Sequence, residues 1–446
     1  MSLKASISGI RGIVGESLTP EVIVNYVSAY SQMMPEGSIL LGRDSRPSGD
    51  VISNFVAYLL NCLGRNVIDI GIVPTPTVLF CVKEKKYAGG IVITASHNPI
   101  EWNALKLVNS DGKFLSPEQF AKLSELVSQK KFDYAIWNKL GTLNKEYKMS
   151  DLHLEKVLGF VDIEKIKAKN FKVVIDTVNG AGGPIGAKLL RTLGCDVIEI
   201  NTETCGYFAH PPEPTPVNLV QLSEKMKECN ADIGFALDPD GDRLVLAGSN
   251  GEILSEEYTL ALCADHYLSS KGKTDLVINL SSSRLCDDVA AKHGVKVLRV
   301  PTGEIHVTES LEQTGAKLGG EGNGGIILPQ INKCRDSLVG MALILEYLAN
   351  NGKKIEDCAN EIGSYCFIKK KFQISDIDLN KIETSLKKEF PSGEFNNNDG
   401  LRIDFDDSWV LIRKSNTEPI VRVFAEAKCE NKALDLIETI KKVAEI

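Results

Sequence analysis

The chain has 446 residues, of which 43% are hydrophobic and 25% charged. That composition excludes a mainly disordered or fibrous protein. Lysine plus arginine number 51 against 59 acidic residues, a formal charge of −8. An acidic surface argues against nucleic acid and anionic membrane as main partners, and an anionic ligand must then meet locally clustered cations.

At about 150 residues per domain the length predicts roughly three domains, or four if one is small. In chain order, short β-branched runs predict strands at 39–41, 67–70, 90–93, 173–175, 197–200, 233–237, 244–246, 277–280, 295–300 and 326–328. Helix-length amphipathic segments such as 50–62, 117–129 and 338–350 fill the space between. This alternation predicts α/β units with mixed or parallel sheets. Residues 130–150 are polar and aperiodic and read as a surface connection. Residues 201–218 carry prolines 211, 212, 214 and 216 and read as a long loop inside a domain. The apolar run 338–349, interrupted by Glu346, is shorter than the about 20 residues a bilayer span needs and reads as a buried helix. After Cys366 the pattern becomes strand, helix, three strands and a final helix over 431–445, a separate small α+β domain. The expected division is 1–150, 151–252, 253–363 and 364–446.

Residues 1–15 lack an apolar core with a cleavage site, so no signal peptide is expected. The eleven cysteines contain no CxxC pair, and the closest two, Cys358 and Cys366, are eight apart. Zinc and redox motifs therefore have no foothold, and a reducing cytoplasm is the expected compartment.

Three times an apolar strand runs into a polar loop bearing glycine or proline, at 91–99, 233–243 and 317–325. Ligands in open α/β sheets sit beyond the carboxyl ends of strands, so these loops are expected to face one cleft. In the first, Thr94-Ala95-Ser96-His97-Asn98-Pro99, Ser96 stands at a strand end. Neighbouring side chains in extended chain point apart, so His97 is not expected to act as its triad base. Taken alone, the segment also reads as an Asn-Pro turn with a capping serine. In the second, Asp238, Asp240 and Asp242 repel one another and call for a hard divalent cation. An EF-hand is excluded, because its glycine and glutamate positions hold Arg243 and Ser249. An exposed acidic turn is the alternative. The third, Gly319 to Gly325, has five glycines, with Glu321 and Asn323 as its hydrogen-bonding side chains. Alone it is a weak signal. A fourth loop, Arg413-Lys414-Ser415-Asn416-Thr417-Glu418-Pro419, offers cations, hydroxyls and backbone N–H groups to a phosphate, with Arg422 just beyond. It also reads as an ordinary hairpin turn. Gly180 to Gly186 imitates a dinucleotide fingerprint, but its spacing is GxGxxxG and Pro184 interrupts it.

Taken in order, these four loops resemble the α-D-phosphohexomutase family over essentially the whole chain. Ser8-Gly9-Ile10-Arg11-Gly12 and Asn103-Ala104-Leu105-Lys106 match as well. The resemblance implies three α/β domains and a C-terminal α+β domain around a central cleft. It implies a phosphorylated hexose as substrate, moved between its 1- and 6-phosphates through a phosphoserine at Ser96 and a hexose 1,6-bisphosphate. It further implies Mg²⁺ on Asp238, Asp240, Asp242 and an oxygen of phosphorylated Ser96. Arg11, His97 and Arg243 would stabilise the transferring phosphoryl group, and Lys106 would be general acid/base. Arg413, Ser415, Asn416 and Thr417 would hold the far phosphate, and Glu321 and Asn323 the sugar hydroxyls. Glu304 follows Gly303 where relatives acting on glucose and mannose phosphates often carry histidine, and it resembles the phosphoglucosamine mutases. The alternatives are phosphomannomutase/phosphoglucomutase activity and, from another class, a non-catalytic sugar-phosphate-binding protein.

Overall fold

The computed structural model describes residues 3–373, 379–414 and 420–444. Its first sheet has seven strands in the spatial order Lys4–Ser6, Gly9–Ile13, Trp102–Val108, Gly89–Ile93, Ile39–Arg43, Val67–Ile72 and Leu143–Lys145. Helices Pro20–Met33, Pro47–Cys62, Thr75–Lys85 and Pro117–Gln129 each carry proline in their first turn. There its preset φ suits the helix and its missing N–H has no intrahelical partner to lose. The second sheet runs Leu244–Ala247, Ile233–Leu237, Lys172–Asp176, Asp196–Ile200, and the third Val297–Val300, Leu276–Asn279, Leu318–Glu321, Gly325–Ile327.

One unit recurs in all three. Its first strand is paired in parallel with its second and third, and the third turns back into an antiparallel fourth. The connection between third and fourth strands is the serine loop in the first sheet, the aspartate loop in the second and the glycine loop in the third. The recurrence visible in the sequence is therefore one structural position used three times.

The fourth sheet is antiparallel, in the order Cys366–Gln373, Ile420–Ala427, Ser408–Lys414, Leu401–Asp404, Glu394–Asn396, with helices Leu379–Glu389 and Glu430–Ala444. It has one strand more than expected, because the short Glu394–Asn396 carries no apolar run. Residues 130–150 are also more than a connection. They supply the outer strand Leu143–Lys145 of the first sheet, which pairs with Val67–Ile72. Helix Ser337–Asn351 is buried nearly throughout and packs on helices Gly183–Thr192 and Glu257–Ser270, so the second and third units share one core. Among the described residues no helix is long and apolar enough to cross a membrane.

Candidate active site

Ser96 follows the strand Gly89–Ile93 and takes a left-handed φ of 52°, which costs a side-chain-bearing residue about 1–2 kcal/mol. Buried Arg46 holds it there. Its guanidinium donates to the carbonyls of Ser96 (2.5 Å), Asn98 (2.7 Å), Pro99 (2.6 Å) and Trp102 (3.1 Å) and pairs with Asp44 at 3.0 Å. Asp44 also accepts from Thr94 Oγ1, which in turn accepts from the Ser96 N–H. The turn corrects the expectation that Ser96 and His97 point apart, since Ser96 Oγ lies 3.3 Å from His97 Nδ1. His97 is held well below the usual histidine range, first by the Arg243 guanidinium and then by burial.

In the aspartate loop Gly241 takes φ +64° and folds the chain back. Asp238 Oδ1 then accepts the N–H groups of Asp242 and Arg243, and its Oδ2 accepts from Ser96 Oγ at 2.8 Å. One oxygen from each of Asp238, Asp240 and Asp242 lies within 4.8 Å of the others, all buried. Lys106 Nζ reaches Asp240 at 2.6 Å and Asp242 at 3.3 Å, and Thr75 Oγ1 donates to Asp240 at 2.5 Å. Burial, then Asp242 and Asp240, drives the Asp238 carboxyl well above the usual range. Burial acts the same way on Asp240, but the Lys106 ammonium outweighs it and holds that group low. Lys106 itself is raised, because Asp240 and Asp242 overcome its desolvation. Asp240 Oδ1 and Asp242 Oδ1 are buried without a hydrogen-bond partner among the described residues. Unmatched carboxylate oxygens in an all-oxygen cluster fit a hard divalent cation.

On the facing side, Glu321 accepts from Asn279 Nδ2 at 2.8 Å, the Gly303 N–H at 3.1 Å and Asn323 Nδ2 at 3.4 Å. Glu304 opens helix Glu304–Thr314, and burial pushes its carboxyl up to about 7 despite the Arg335 guanidinium 2.8 Å away. A cavity of about 400 Å³ lies between the two sides. Ser96, His97, Lys106, Arg11 and Arg243 line it from one side, and Glu304, Glu321, Asn323 and Arg422 from the other. Arg11 donates to Asn98 Oδ1 at 2.6 Å. Arg413 does not line the cavity. Its Nε donates to Asp399 Oδ1 at 2.9 Å, and Asp399 Oδ2 accepts the Thr302 N–H, tying the fourth sheet to the cavity rim. Ser415, Asn416 and Thr417 lie outside the described residues.

Arg46, Asp44, Thr75, Asn279 and Arg335 escaped the sequence reading. The available signal was a charged pair beside a strand end, Asp44 and Arg46 after Ile39–Arg43. The dinucleotide-like segment serves the aspartate loop instead. A Cβ on Gly180 would stand 2.6 Å from Pro239 Cα, and the Ala181 N–H donates to the Pro239 carbonyl.

Models of phosphoglucomutase/phosphomannomutase match in four parts: α/β/α domain I at residues 3–134, domain II at 151–251, domain III at 255–365 and the C-terminal domain at 373–442. A Thermococcus kodakarensis protein named phosphoglucomutase/phosphomannomutase is 38% identical over 98% of this chain and 97% of its own. A Sulfurisphaera tokodaii protein named phosphoglucosamine/phosphogalactosamine mutase is 34% identical over 98% of both. The crystal structure of a phosphoglucomutase/phosphomannomutase family protein from Burkholderia thailandensis superposes with a TM-score of 0.85 at 26% identity, covering 99% of this chain and 98% of that one. Those matches run through all four sheets and every loop described above, so the chain belongs to the phosphoglucomutase/phosphomannomutase family, the α-D-phosphohexomutases, and is an intramolecular phosphotransferase.

Proposed function

We propose that this phosphohexomutase carries its phosphoryl group on Ser96 and prefers glucosamine phosphate. The observation that supports the carrier is Ser96 Oγ at the cavity wall, 2.8 Å from a buried aspartate cluster with two unmatched oxygens. Asp238, Asp240 and Asp242 would hold Mg²⁺, which supplies positive charge to the transferring phosphoryl group. The P–O bond to Ser96 breaks as the free hydroxyl of a hexose monophosphate forms the new one, giving the hexose 1,6-bisphosphate. Lys106, held as an ammonium, is assigned the proton exchange: it gives a proton to the departing Ser96 oxygen and takes the one the sugar hydroxyl loses. After the bisphosphate turns end over end, its other phosphoryl group returns to Ser96, and Lys106 gives a proton to the sugar oxygen left behind and takes the one Ser96 loses. Arg11 and Arg243 face the transferring group, and His97 offers a neutral imidazole beside Ser96. Ser415, Asn416 and Thr417 are assigned the far phosphate, Arg422 the same end of the cavity, and Glu321 and Asn323 the sugar hydroxyls; Arg413 would join the phosphate only on leaving Asp399. A cytoplasmic location accords with eleven unpaired cysteines.

Glu304 supports the sugar assignment. It lines the cavity, and its Oε1 has no partner among the described residues. Glucosamine carries an ammonium at C2 where glucose carries a hydroxyl. A charge-assisted contact to a carboxylate is worth about 1–3 kcal/mol, or about ten- to a hundredfold in preference. The Sulfurisphaera relative's name points the same way, while the Thermococcus relative's name favours neutral sugars. The test is kcat/KM for glucosamine, glucose and mannose 1-phosphates in wild type and Glu304→Gln. The glucosamine rate should lead and should fall selectively in the variant. A wild type that prefers a neutral sugar refutes the assignment.

A further inference from the structure

Arg335 ties together carboxylates from three loops. Its NH2 group donates to Asp242 Oδ2 at 2.7 Å and its Nε to Glu304 Oε2 at 2.8 Å, and NH1 stands 3.1 Å from Glu321 Oε2. The residue is only 9% exposed. Three buried carboxylates that share one side of a cavity repel one another. A planar guanidinium can bond to all three at once, whereas an ammonium is a single point of charge.

The backbone on either side is anchored. Asp336 caps helix Ser337–Asn351 and accepts from His153 Nε2 at 2.7 Å and Asn332 Nδ2 at 3.1 Å, and Ser337 Oγ donates to the Gly241 carbonyl. The arginine stem passes through a space left by Gly325. A Cβ there would stand 2.2 Å from Arg335 Cδ and 2.6 Å from Cγ. This close approach requires glycine at the end of the glycine loop, a requirement separate from any ligand contact.

The consequence falls on the sugar side of the cavity. With Arg335 in place, both oxygens of Glu321 are engaged and Glu304 keeps one oxygen unmatched. We propose that Arg335 is a positioning residue for the sugar: it locks Glu304 and Glu321 to the aspartate loop, so that the groups recognising the sugar and the groups that move phosphate keep a fixed spacing. This rests on the mutase reading above.

The test uses Arg335→Met, Arg335→Lys and Gly325→Ala, each checked by circular dichroism and thermal midpoint. Steady-state kinetics with glucosamine 1-phosphate and glucose 1-phosphate give the readout. Misplacing a recognition group by about 1 Å costs up to about a hundredfold. We expect KM to rise about ten- to a hundredfold in Arg335→Met with a smaller change in kcat. Arg335→Lys should fall between, and Gly325→Ala should raise KM by displacing an intact guanidinium. A folded Arg335→Met with wild-type KM overturns the proposal, including the case of a lowered midpoint alone. If Arg335→Met does not fold, Arg335→Lys decides: a raised KM supports positioning and a wild-type KM overturns it. A wild type inactive on every hexose phosphate would instead overturn the mutase reading, so the two failures are distinct.

Discussion

Arg46 is the residue on which the geometry of Ser96 should depend most. Replacing it with methionine removes four hydrogen bonds, two to the buried carbonyls of Ser96 and Trp102 and two to the part-buried carbonyls of Asn98 and Pro99, and the partner of buried Asp44. Each unsatisfied buried carbonyl costs about 1–3 kcal/mol, and breaking a buried ion pair from one side costs about 3–5 kcal/mol. Relaxation of the loop and protonation of Asp44, whose carboxyl burial already raises, will recover much of that sum. A net local cost of about 3–5 kcal/mol is therefore expected in Arg46→Met. Without those bonds the left-handed turn at Ser96 has lost its support, and a shift of about 1 Å would lower kcat about a hundredfold. Hydrogen exchange followed by mass spectrometry reads the cause directly. At about 1.4 kcal/mol per tenfold, amides in 94–102 should exchange at least about a hundredfold faster, while those of helix Ser337–Asn351 stay protected. Wild-type kcat together with unchanged exchange through 94–102 would refute the reasoning.

Ser96→Ala should abolish turnover, and peptide mapping of the wild type should find phosphate on Ser96 alone in that loop; wild-type activity in the variant would sink the carrier assignment. Asp240→Asn should lose activity by orders of magnitude, as charge defects at a phosphoryl-transfer site do. It should also weaken Mg²⁺ binding by calorimetry, and chelation should stop the wild type until Mg²⁺ is restored. Glu346 tests a structural network instead. Burial acts to raise its carboxyl, but hydrogen bonds from His266 and Lys271 and the Asp162 N–H overcome this and hold it at about 2. A depressed carboxylate contributes stability that is complete above its unfolded value and is lost as pH falls through the folded one. Glu346→Gln should therefore cost about 1–3 kcal/mol at pH 7. Its urea midpoint should converge on the wild type between about pH 4.5 and pH 2, and a gap independent of pH would count against the assignment.

Much of the fold was legible because each unit is built from apolar strands of four to six residues with buried runs, such as Ile233–Leu237 and Leu276–Asn279. Strand Trp102–Val108 was not, although all seven of its residues are buried. Asn103 and Lys106 interrupt its apolar pattern, and both point to polar partners, Ser48 and the aspartates, that local sequence cannot supply. The edge strand Leu143–Lys145 was hidden for the opposite reason. It is short, polar and paired on one side only, so burial imposes little pattern on it.

The functional loops announced themselves by composition, whereas the residues that hold them did not. Arg46 reaches Ser96 across 50 positions, Arg335 reaches Asp242 across 93 and Thr75 reaches Asp240 across 165. Arg46 finds its partner only when the strands of the first unit pair, and Arg335 and Thr75 find theirs only when separate units pack. Repulsion among three aspartates was enough to predict a cation, but not how the charge is divided. The structure places five carboxylates in one connected cluster, Asp238, Asp240, Asp242, Glu304 and Glu321. Among the described residues three cations touch it: Lys106, Arg335 and, at 4.0 Å from Asp242, Arg243. The carboxylates thus outnumber these cations at the place where Asp240 Oδ1 and Asp242 Oδ1 lack hydrogen-bond partners among the described residues, which suits a divalent ion. Burial, and then Asp242 and Asp240, raise the Asp238 carboxyl well above its usual range. The protein cations and the metal thus have separable tasks. Lys106 and Arg335 hold the carboxylates in place, and on the proposed reading a divalent ion would complete the neutralisation that lets an anionic phosphoryl group approach Ser96.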